Sequence, residues 1–377
     1  MTNRFGIYVH IPFCVHKCSY CDFYSFTKYH PSDFSPFIQN LIQEIQSAAA
    51  WLRAHRPLKE PVSSIFIGGG TPSLLPTQCL QALFEALAFE FSWAPDIEIT
   101  LEANPETVTE QLANEWRAQT PINRISMGAQ SFQSKFLKVL ERLGSADKIR
   151  EASSILKRAG FTNFNLDLIV GIPEQTPEEV KKDIEWAAEL GPTHISNYNL
   201  TLKPGHSLFK ALPSDDFSAD LYETAQETLR AQGYLQYEIS NYAKPGFTCA
   251  HNLLYWTGGD FLGVGPSAAS RFFWDGLFHH RKQLADYSRY MQLGAFDAVP
   301  WTATSKEQTQ LEALFLELRS NEGIDIDQFN LKYGFNLGEN TKLPKFEKLG
   351  LLEMKKPTLR LTDKGRLLAD SLVCELI

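Results

Sequence analysis

Apolar positions along this chain recur with two alternating periods. Short runs in which every second residue, or nearly every residue, is apolar read as strands: "FGIYVHI", "SSIFIGG", "IEITLEA", "INRISMG", "NFNLDLIVG" and "HISNYNLT". Between them, apolar residues return every three or four positions over roughly 33–55, 77–91, 107–118, 132–159 and 176–189, and again over 216–232 after the sixth run. These segments read as amphipathic helices, with 132–159 as two helices broken near Gly144. Strand alternating with helix predicts right-handed βαβ units on a parallel sheet. Six such units fit a partial (β/α)6 barrel, and a doubly wound sheet shares the same alternation.

The placement of unusual residues favours the barrel. Three cysteines follow the first strand, "GGGTPS" (68–73) follows the second, and "EANPE" (102–106) follows the third. Gln130 comes after the fourth, Asp167 with "GIP" closes the fifth, and Asn197 to Asn199 close the sixth. Each group falls at the C-terminal end of a strand, the face on which parallel barrels build their sites.

Composition narrows the setting. With 377 residues, 44% hydrophobic and 21% charged, the chain can fill one barrel-sized domain and a smaller appendage. A net charge of -8 gives no electrostatic reason to expect nucleic acid. No secretory signal is visible before "FGIYVHIPF", and no apolar run approaches a membrane span, so no integral membrane segment is expected. Cys79, Cys249 and Cys374 are scattered singly, unlike a secreted disulfide framework. A cytoplasmic, reducing setting is expected, with at most peripheral contact to membranes.

Within "HIPFCVHKCSYCDF" (10–23), Cys14, Cys18 and Cys21 have C-x3-C-x2-C spacing. Thiolates so spaced can hold three irons of a cubane and leave the fourth open to a small molecule. A zinc site completed by His10 or His16, or chance proximity of reduced thiols, would use the same residues. Gly68 to Gly70 after a strand let backbone approach a ligand closely; alone they are more often a turn.

Taken together, "YVHIPFCVHKCSYC", "GGGTPS", "SMGAQSF" and "DLIVGIPEQT" resemble the radical S-adenosylmethionine (SAM) family that contains the oxygen-independent coproporphyrinogen III oxidases and their heme chaperone relatives. The resemblance covers almost the whole chain. It implies a [4Fe-4S] cluster on Cys14, Cys18 and Cys21, with SAM chelating the open iron. It also implies that Tyr8 touches the site, with Tyr20 of the cysteine loop counted beside it. Gly69, Gly70 and Thr71 would contact the methionine part of SAM, and Glu102, Gln130, Arg142 and Asp167 would complete its pocket. The chemistry agrees, since carboxylates accept from ribose hydroxyls or an ammonium and Arg142 suits a carboxylate. Singly, each of these four would read as a surface or structural residue.

Which branch of the family this is turns on other positions. The oxidase branch resembles CxxxCxxCxC, whereas Phe23 occupies the fourth cysteine's place here. It also carries several dozen residues before the cysteines, and only thirteen precede Cys14. "AHNLLYWTGGDFLGVG" (250–265) resembles the chaperone branch's HNxxYW motif, with His251, Asn252, Tyr255 and Trp256. His251 is then a candidate axial ligand for heme, against the alternative of a packed loop histidine among core aromatics. Cys249 is the other candidate ligand, although a small buried thiol is the plainer reading. No C-x-x-C-H is present, so reversible heme binding is expected. The resemblance therefore implies a heme chaperone that passes heme to acceptor proteins, respiratory ones among them; the alternative is oxygen-independent coproporphyrinogen III oxidase. The chain departs from the family pattern at Gly144, Lys203 and Ala269, where relatives carry a histidine, an acidic residue and a histidine.

The C-terminal segment reads as helices, a short two-stranded wing and a closing helix, like a winged helix. From Lys306 to Arg366 it has 11 Lys or Arg, and from Glu307 to Glu375 it has 12 Asp or Glu, so it lacks an electrostatic footprint for DNA. The expected division is 1–235 for the barrel, 236–300 for a connecting region with the HNLLYW motif, and 301–377 for the winged-helix-like domain, the link lying around 290–305.

Overall fold

The computed structural model describes residues 4–293 and 296–376. The strand–helix rhythm of the sequence appears as β1 (Phe5–Ile11), α1 (Phe34–His55), β2 (Val62–Gly69), α2 (Thr77–Glu90), β3 (Trp93–Ala103), α3 (Glu110–Gln119), β4 (Arg124–Gln130), α4 (Ser134–Val139), α5 (Ala146–Arg158), β5 (Phe164–Val170), α6 (Pro177–Glu189), β6 (His194–Asn199) and α7 (Asp215–Ala231). Neighbours from β1 to β6 pair in parallel and in chain order. Helix starts follow local chemistry. The Ser145 and Ser214 side chains accept from Lys148 N and Phe217 N, and Thr176 with Glu179 closes a capping box ahead of Pro177. The expected helix from 107 begins later, because Pro105–Thr107 forms a 3-10 turn and Thr109 caps α3.

Alternation along the strands sorts side chains to two faces. Ile7, Val9, Ile65, Ile67, Ile99, Leu101, Ile125, Leu166 and Ile195 are fully buried in the main core, beneath the helices. The opposite face is polar: Glu102 aligns with Ser126, Ser126 with Asn165, and Asp167 with Ser196. Such residues can be buried because they satisfy one another. Asn165 donates to the Ser126 hydroxyl and to Asp167, and its carbonyl oxygen faces His194 Nδ1 at 2.7 Å.

Residues 235–303 extend this sheet at both edges. β7 (Leu235–Gln236) and β8 (Asn241–Ala243) add antiparallel to β6. After α8 (Ala250–Trp256), β9 (Asp260–Val264) pairs parallel with β1, and β10 (Ala269–Trp274), β11 (Leu277–Lys282) and β12 (Thr302–Ala303) continue as a meander, with α9 (Tyr287–Leu293) in the connection. Thus β1 pairs with β9 and β6 with β8, and no pairing joins β1 to β6 among the described residues. Residues 294 and 295 of the expected link lie outside the described residues.

Helix α8 contains the HNLLYW segment. The Glu98 carboxylate of β3 accepts from Ala250 N and His251 N at 3.0 and 3.1 Å, and Cys249 Sγ lies 3.2 Å away. A charged acceptor is well placed at a helix start.

The C-terminal unit comprises α10 (Lys306–Glu317), β13 (Ile324–Asp325), α11 (Ile326–Tyr333), α12 (Leu343–Lys348), β14 (Leu352–Lys355), β15 (Thr358–Leu361), α13 (Asp363–Arg366) and α14 (Ala369–Leu376). The expected two-stranded wing is present as β14 and β15, and the short β13 makes it three-stranded. Its core includes Phe278 of β11, which docks the unit on the sheet extension.

Candidate functional site

The chain leaving β1 is anchored by Phe13, which is fully buried. Its ring lies 5.0 to 5.4 Å from those of Phe26, Tyr29, Phe34 and Phe37. Cys14 N donates to Phe26 O at 3.1 Å and Phe26 N to Pro12 O at 2.9 Å, closing the cysteine loop at its base. At its far side, His206 Nε2 lies 3.0 Å from Ser19 O, and Lys203 forms an ion pair with Asp22 at 2.9 Å. His206 and Lys203 therefore join the loop after β6 to the cysteine loop.

The glycine loop is held against the same segment. Gly70 N donates to Ile11 O and Thr71 N to Phe13 O, each at 2.7 Å. A Cβ on Gly70 would stand 2.4 Å from Phe13 O, so only glycine allows this approach. Thr71 Oγ1 lies 3.2 Å from Cys14 Sγ and accepts from Asn104 Nδ2 at 3.1 Å.

Cys14, Cys18 and Cys21 face one cavity of about 350 Å³ at the C-terminal ends of the strands. Tyr20, Gly69, Gly70, Thr71, Glu102, Gln130, Arg142 and Asp167 line it too. The structure thus brings together every sequence-predicted site residue except Tyr8 and His251. Tyr8 faces a neighbouring cleft beyond the cysteine loop. His251 is 1% exposed, with Nδ1 2.9 Å from Ser64 Oγ and Nε2 2.9 Å from the Tyr255 hydroxyl. Phe23 is 64% exposed and lines both the cavity and the cleft.

Charge within the cavity is arranged around the thiols and two buried carboxyls. Arg142 sits in the break between α4 and α5 and donates to Gly128 O at 2.7 Å and Asn104 Oδ1 at 3.0 Å. Its Nη1 lies 3.8 Å from Cys18 Sγ, and Lys17 Nζ lies 3.9 Å from Cys21 Sγ. Burial pushes the Cys18 thiol up, and Arg142 counters it. Glu102 accepts from Gly69 N at 3.0 Å; burial first, then the Asp167 carboxylate, pushes its carboxyl up to about 8. Asp167 is also pushed up by burial, opposed by hydrogen bonds from Ser196 and Asn165. Burial lowers His251 to about 3, so its imidazole is neutral.

The residues present suit a multinuclear thiolate-held group and an adjacent zwitterionic nucleoside. Cys14, Cys18 and Cys21 all line this one cavity, and thiolates at C-x3-C-x2-C spacing can each hold a different iron of one cluster. Gly68 and Gly128 keep space open: a Cβ on Gly68 would lie 3.0 Å from the Glu102 carboxyl, and one on Gly128 2.8 Å from Gln130 Nε2. Gln130 itself adopts φ 68°, which turns the chain at the end of β4.

Sequence reading missed Arg124, Ser126 and Ser196, which also line the cavity, as do Asn104 and Tyr198 of the strand-end groups at 102–106 and 197–199. Their signal was the polar half of the strand alternation, in "RISMGAQ" and "HISNYN", which points into the barrel rather than to solvent.

Comparisons with known proteins bear on the fold and the family. The model of the Radical SAM superfamily matches residues 8–187, and that of the HemN C-terminal domain matches residues 304–368. Heme chaperone HemW of Escherichia coli (strain K12) is 40% identical over 267 residues, covering 70% of this chain and 69% of its own. Heme chaperone HemW of Mycobacterium tuberculosis (strain ATCC 25618 / H37Rv) is 32% identical over 382 aligned positions, covering 99% of this chain and 95% of its own. Among solved structures, coproporphyrinogen III oxidase (HemN) from Escherichia coli, a radical SAM enzyme, superposes with a TM-score of 0.83 at 25% identity, covering 99% of this chain and 90% of its own. From the near full-length HemW match and a radical SAM barrel with a HemN-type C-terminal unit, the chain belongs to the HemW family of radical SAM proteins.

Proposed function

We propose that the protein is a cytoplasmic heme chaperone that binds heme reversibly at its HNLLYW segment and passes it to acceptor proteins. The observation that carries this reading is the HemW likeness along 99% of the chain. The three thiols and the open cavity beside them support a [4Fe-4S] cluster on Cys14, Cys18 and Cys21 with SAM next to it. When bound, the cluster supplies electrons and an open iron for SAM. The protein's own residues supply the rest. Arg142 and Lys17 balance thiolate charge, and Thr71 and Gly70 fix the cavity floor against the cysteine loop. Glu102 and Asp167 offer acceptors for ribose hydroxyls or an ammonium, and the Tyr20 ring forms part of the cavity lining. A cytoplasmic placement agrees with the finding that no helix among the described residues is long and apolar enough to cross a membrane.

The fold likeness to HemN favours the second reading, an oxygen-independent coproporphyrinogen III oxidase. Phe23 speaks against it: an exposed apolar ring stands where the oxidase pattern has a cysteine. The test uses anaerobically reconstituted protein, titrated with heme and separately incubated with coproporphyrinogen III, SAM and a reductant. Saturable heme binding without protoporphyrinogen IX supports the chaperone. Catalytic production of protoporphyrinogen IX overturns it.

A further inference from the structure

Beside the cluster cavity, on the other side of Phe23, lies a second cleft of about 350 Å³ between the cysteine loop and the sheet extension. A cleft of this size is in the range that holds small-molecule ligands. Tyr8, Phe23, Tyr24, Tyr255 and Phe261 wall it with rings, the exposed Lys282 stands at its edge, and Asp22, which also lines it, is ion-paired with Lys203. Aromatic faces suit a planar macrocycle, and an ammonium at the rim suits a propionate. Of the HNLLYW segment, Tyr255 reaches this cleft and His251 does not.

We propose that this cleft seats ferric heme with the Tyr255 phenolate as axial ligand, and that His251 is a positioning residue that donates to that phenolate. The proposal rests on the heme-chaperone reading and names the ligand within it. Tyrosine is an established axial ligand type for ferric heme.

The hydrogen-bond pattern selects Tyr255 over Tyr8, His10, His251 and Cys249. His251 Nδ1 faces the Ser64 hydroxyl, which can donate to it, leaving Nε2–H to donate to the Tyr255 oxygen 2.9 Å away. The Tyr255 ring stands edge-on to both His251 and Phe261, at 4.9 and 4.5 Å between centroids, which fixes its direction. Tyr8 forms a second tyrosine–histidine pair with the opposite polarity. His10 Nε2 must donate to the Tyr24 carbonyl at 2.7 Å, so its Nδ1 is an acceptor and the Tyr8 hydroxyl, 3.1 Å away, is a donor. A Tyr8 phenolate would face a lone pair. His10 and His251 each have both ring nitrogens engaged, and Cys249 is buried against Glu98.

Burial raises the Tyr255 phenol, and the buried Arg271 guanidinium opposes this, so the phenol keeps its proton until iron takes the proton's place. On binding, the Tyr255 O–H bond breaks and an iron–oxygen bond forms. The hydroxide given up by ferric heme leaves as water carrying that proton, and the iron stays ferric. His251, kept neutral by burial, neither gains nor loses a proton.

The test is resonance Raman and absorption spectroscopy of the full-length protein titrated with ferric heme. Wild type is expected to show a phenolate-to-iron charge-transfer signature. Tyr255→Phe loses it and binds heme about tenfold more weakly or worse, while Tyr8→Phe keeps it. His251→Asn keeps the signature with weakened binding, because the ligand remains and its donor is gone. Dithionite reduction of the wild-type complex needs no variant: a hard anionic oxygen favours ferric iron, so the signature collapses. A wild-type spectrum without the signature, its survival in Tyr255→Phe, loss of all iron ligation in His251→Asn, or a ligand set unchanged on reduction would overturn the assignment. Failure of wild type to bind heme at all would instead overturn the chaperone reading beneath it.

Discussion

Replacing Glu102 by Gln tests the cavity's electrostatics. Glu102 is buried beside Asp167, and these two effects, in that order, bring its carboxyl up to about 8. At pH 7 the protonated form in the empty cavity therefore outnumbers the charged form about tenfold. If the charged carboxylate is what accepts from the ribose hydroxyls of SAM, loading at pH 7 releases about 0.9 of a proton, and affinity rises about tenfold per pH unit until about pH 8, then levels. The same shift acts on the unloaded fold with a definite sign. The folded value lies above the unfolded one, so the contribution to stability is complete below the unfolded value and is lost as pH rises through about 8, at up to about 1.4 kcal/mol per unit. Glu102→Gln removes both dependences: SAM binding weakens and becomes flat with pH, and the variant gains stability relative to wild type on the alkaline side. Calorimetric SAM titrations of reconstituted protein, in two buffers of different ionisation enthalpy from about pH 6 to about pH 9, read the affinity and the released proton together. A wild-type affinity that is flat over this range, or an unchanged slope in Glu102→Gln, refutes the reasoning.

Three further outcomes follow from named contacts. Cys14→Ala, Cys18→Ala and Cys21→Ala each lose most reconstituted iron and its visible absorbance, whereas Cys79→Ala and Cys374→Ala, whose thiols lie away from the cavity, retain them; iron and sulfide analysis decides. Gly70→Ala drives its Cβ into Phe13 O and displaces the Gly70–Ile11 and Thr71–Phe13 hydrogen bonds, so it loses about 2–4 kcal/mol in urea unfolding and weakens SAM binding. His194 is held neutral well below its ordinary value, by burial first and Arg124 second. Its contribution to stability is therefore complete above about pH 6.5 and is lost as pH falls below it. His194→Gln should lose stability about 1.4 kcal/mol less per pH unit than wild type on that acid limb, read from urea midpoints.

Much of the barrel was legible because strand and helix periods are local. "FGIYVHI" is β1 to the residue, and the break expected near Gly144 is real. The break also explains Arg142: the chain between α4 and α5 turns it inward to Cys18 and Asn104. The cysteine loop, the glycine loop, Glu102, Gln130 and Asp167 could be found together since each falls at a strand's C-terminal end, whereas Arg142 came only from the family resemblance. What stayed hidden depends on partners distant in sequence. Nothing near Glu98 shows that it caps a helix 151 residues away, or that this helix buries His251 against Ser64 and Tyr255. Strands β9 to β11 were obscured by inward polar residues such as Arg271, whose guanidinium is buried over Phe261 and Phe278. The polar interior of the barrel was hidden for the same reason, since Asn165 and His194 look like solvent-facing positions until each finds the other.

Heme transfer tests the central claim most directly. Protein loaded with ferric heme and freed of excess is mixed with an apo-acceptor of the b-type cytochrome class, and in parallel with an excess of a heme scavenger that makes no contact with it. A chaperone predicts transfer to the acceptor that is faster than release to the scavenger and rises with acceptor concentration. Transfer at the scavenger rate, independent of acceptor concentration, would show simple dissociation and contradict the account.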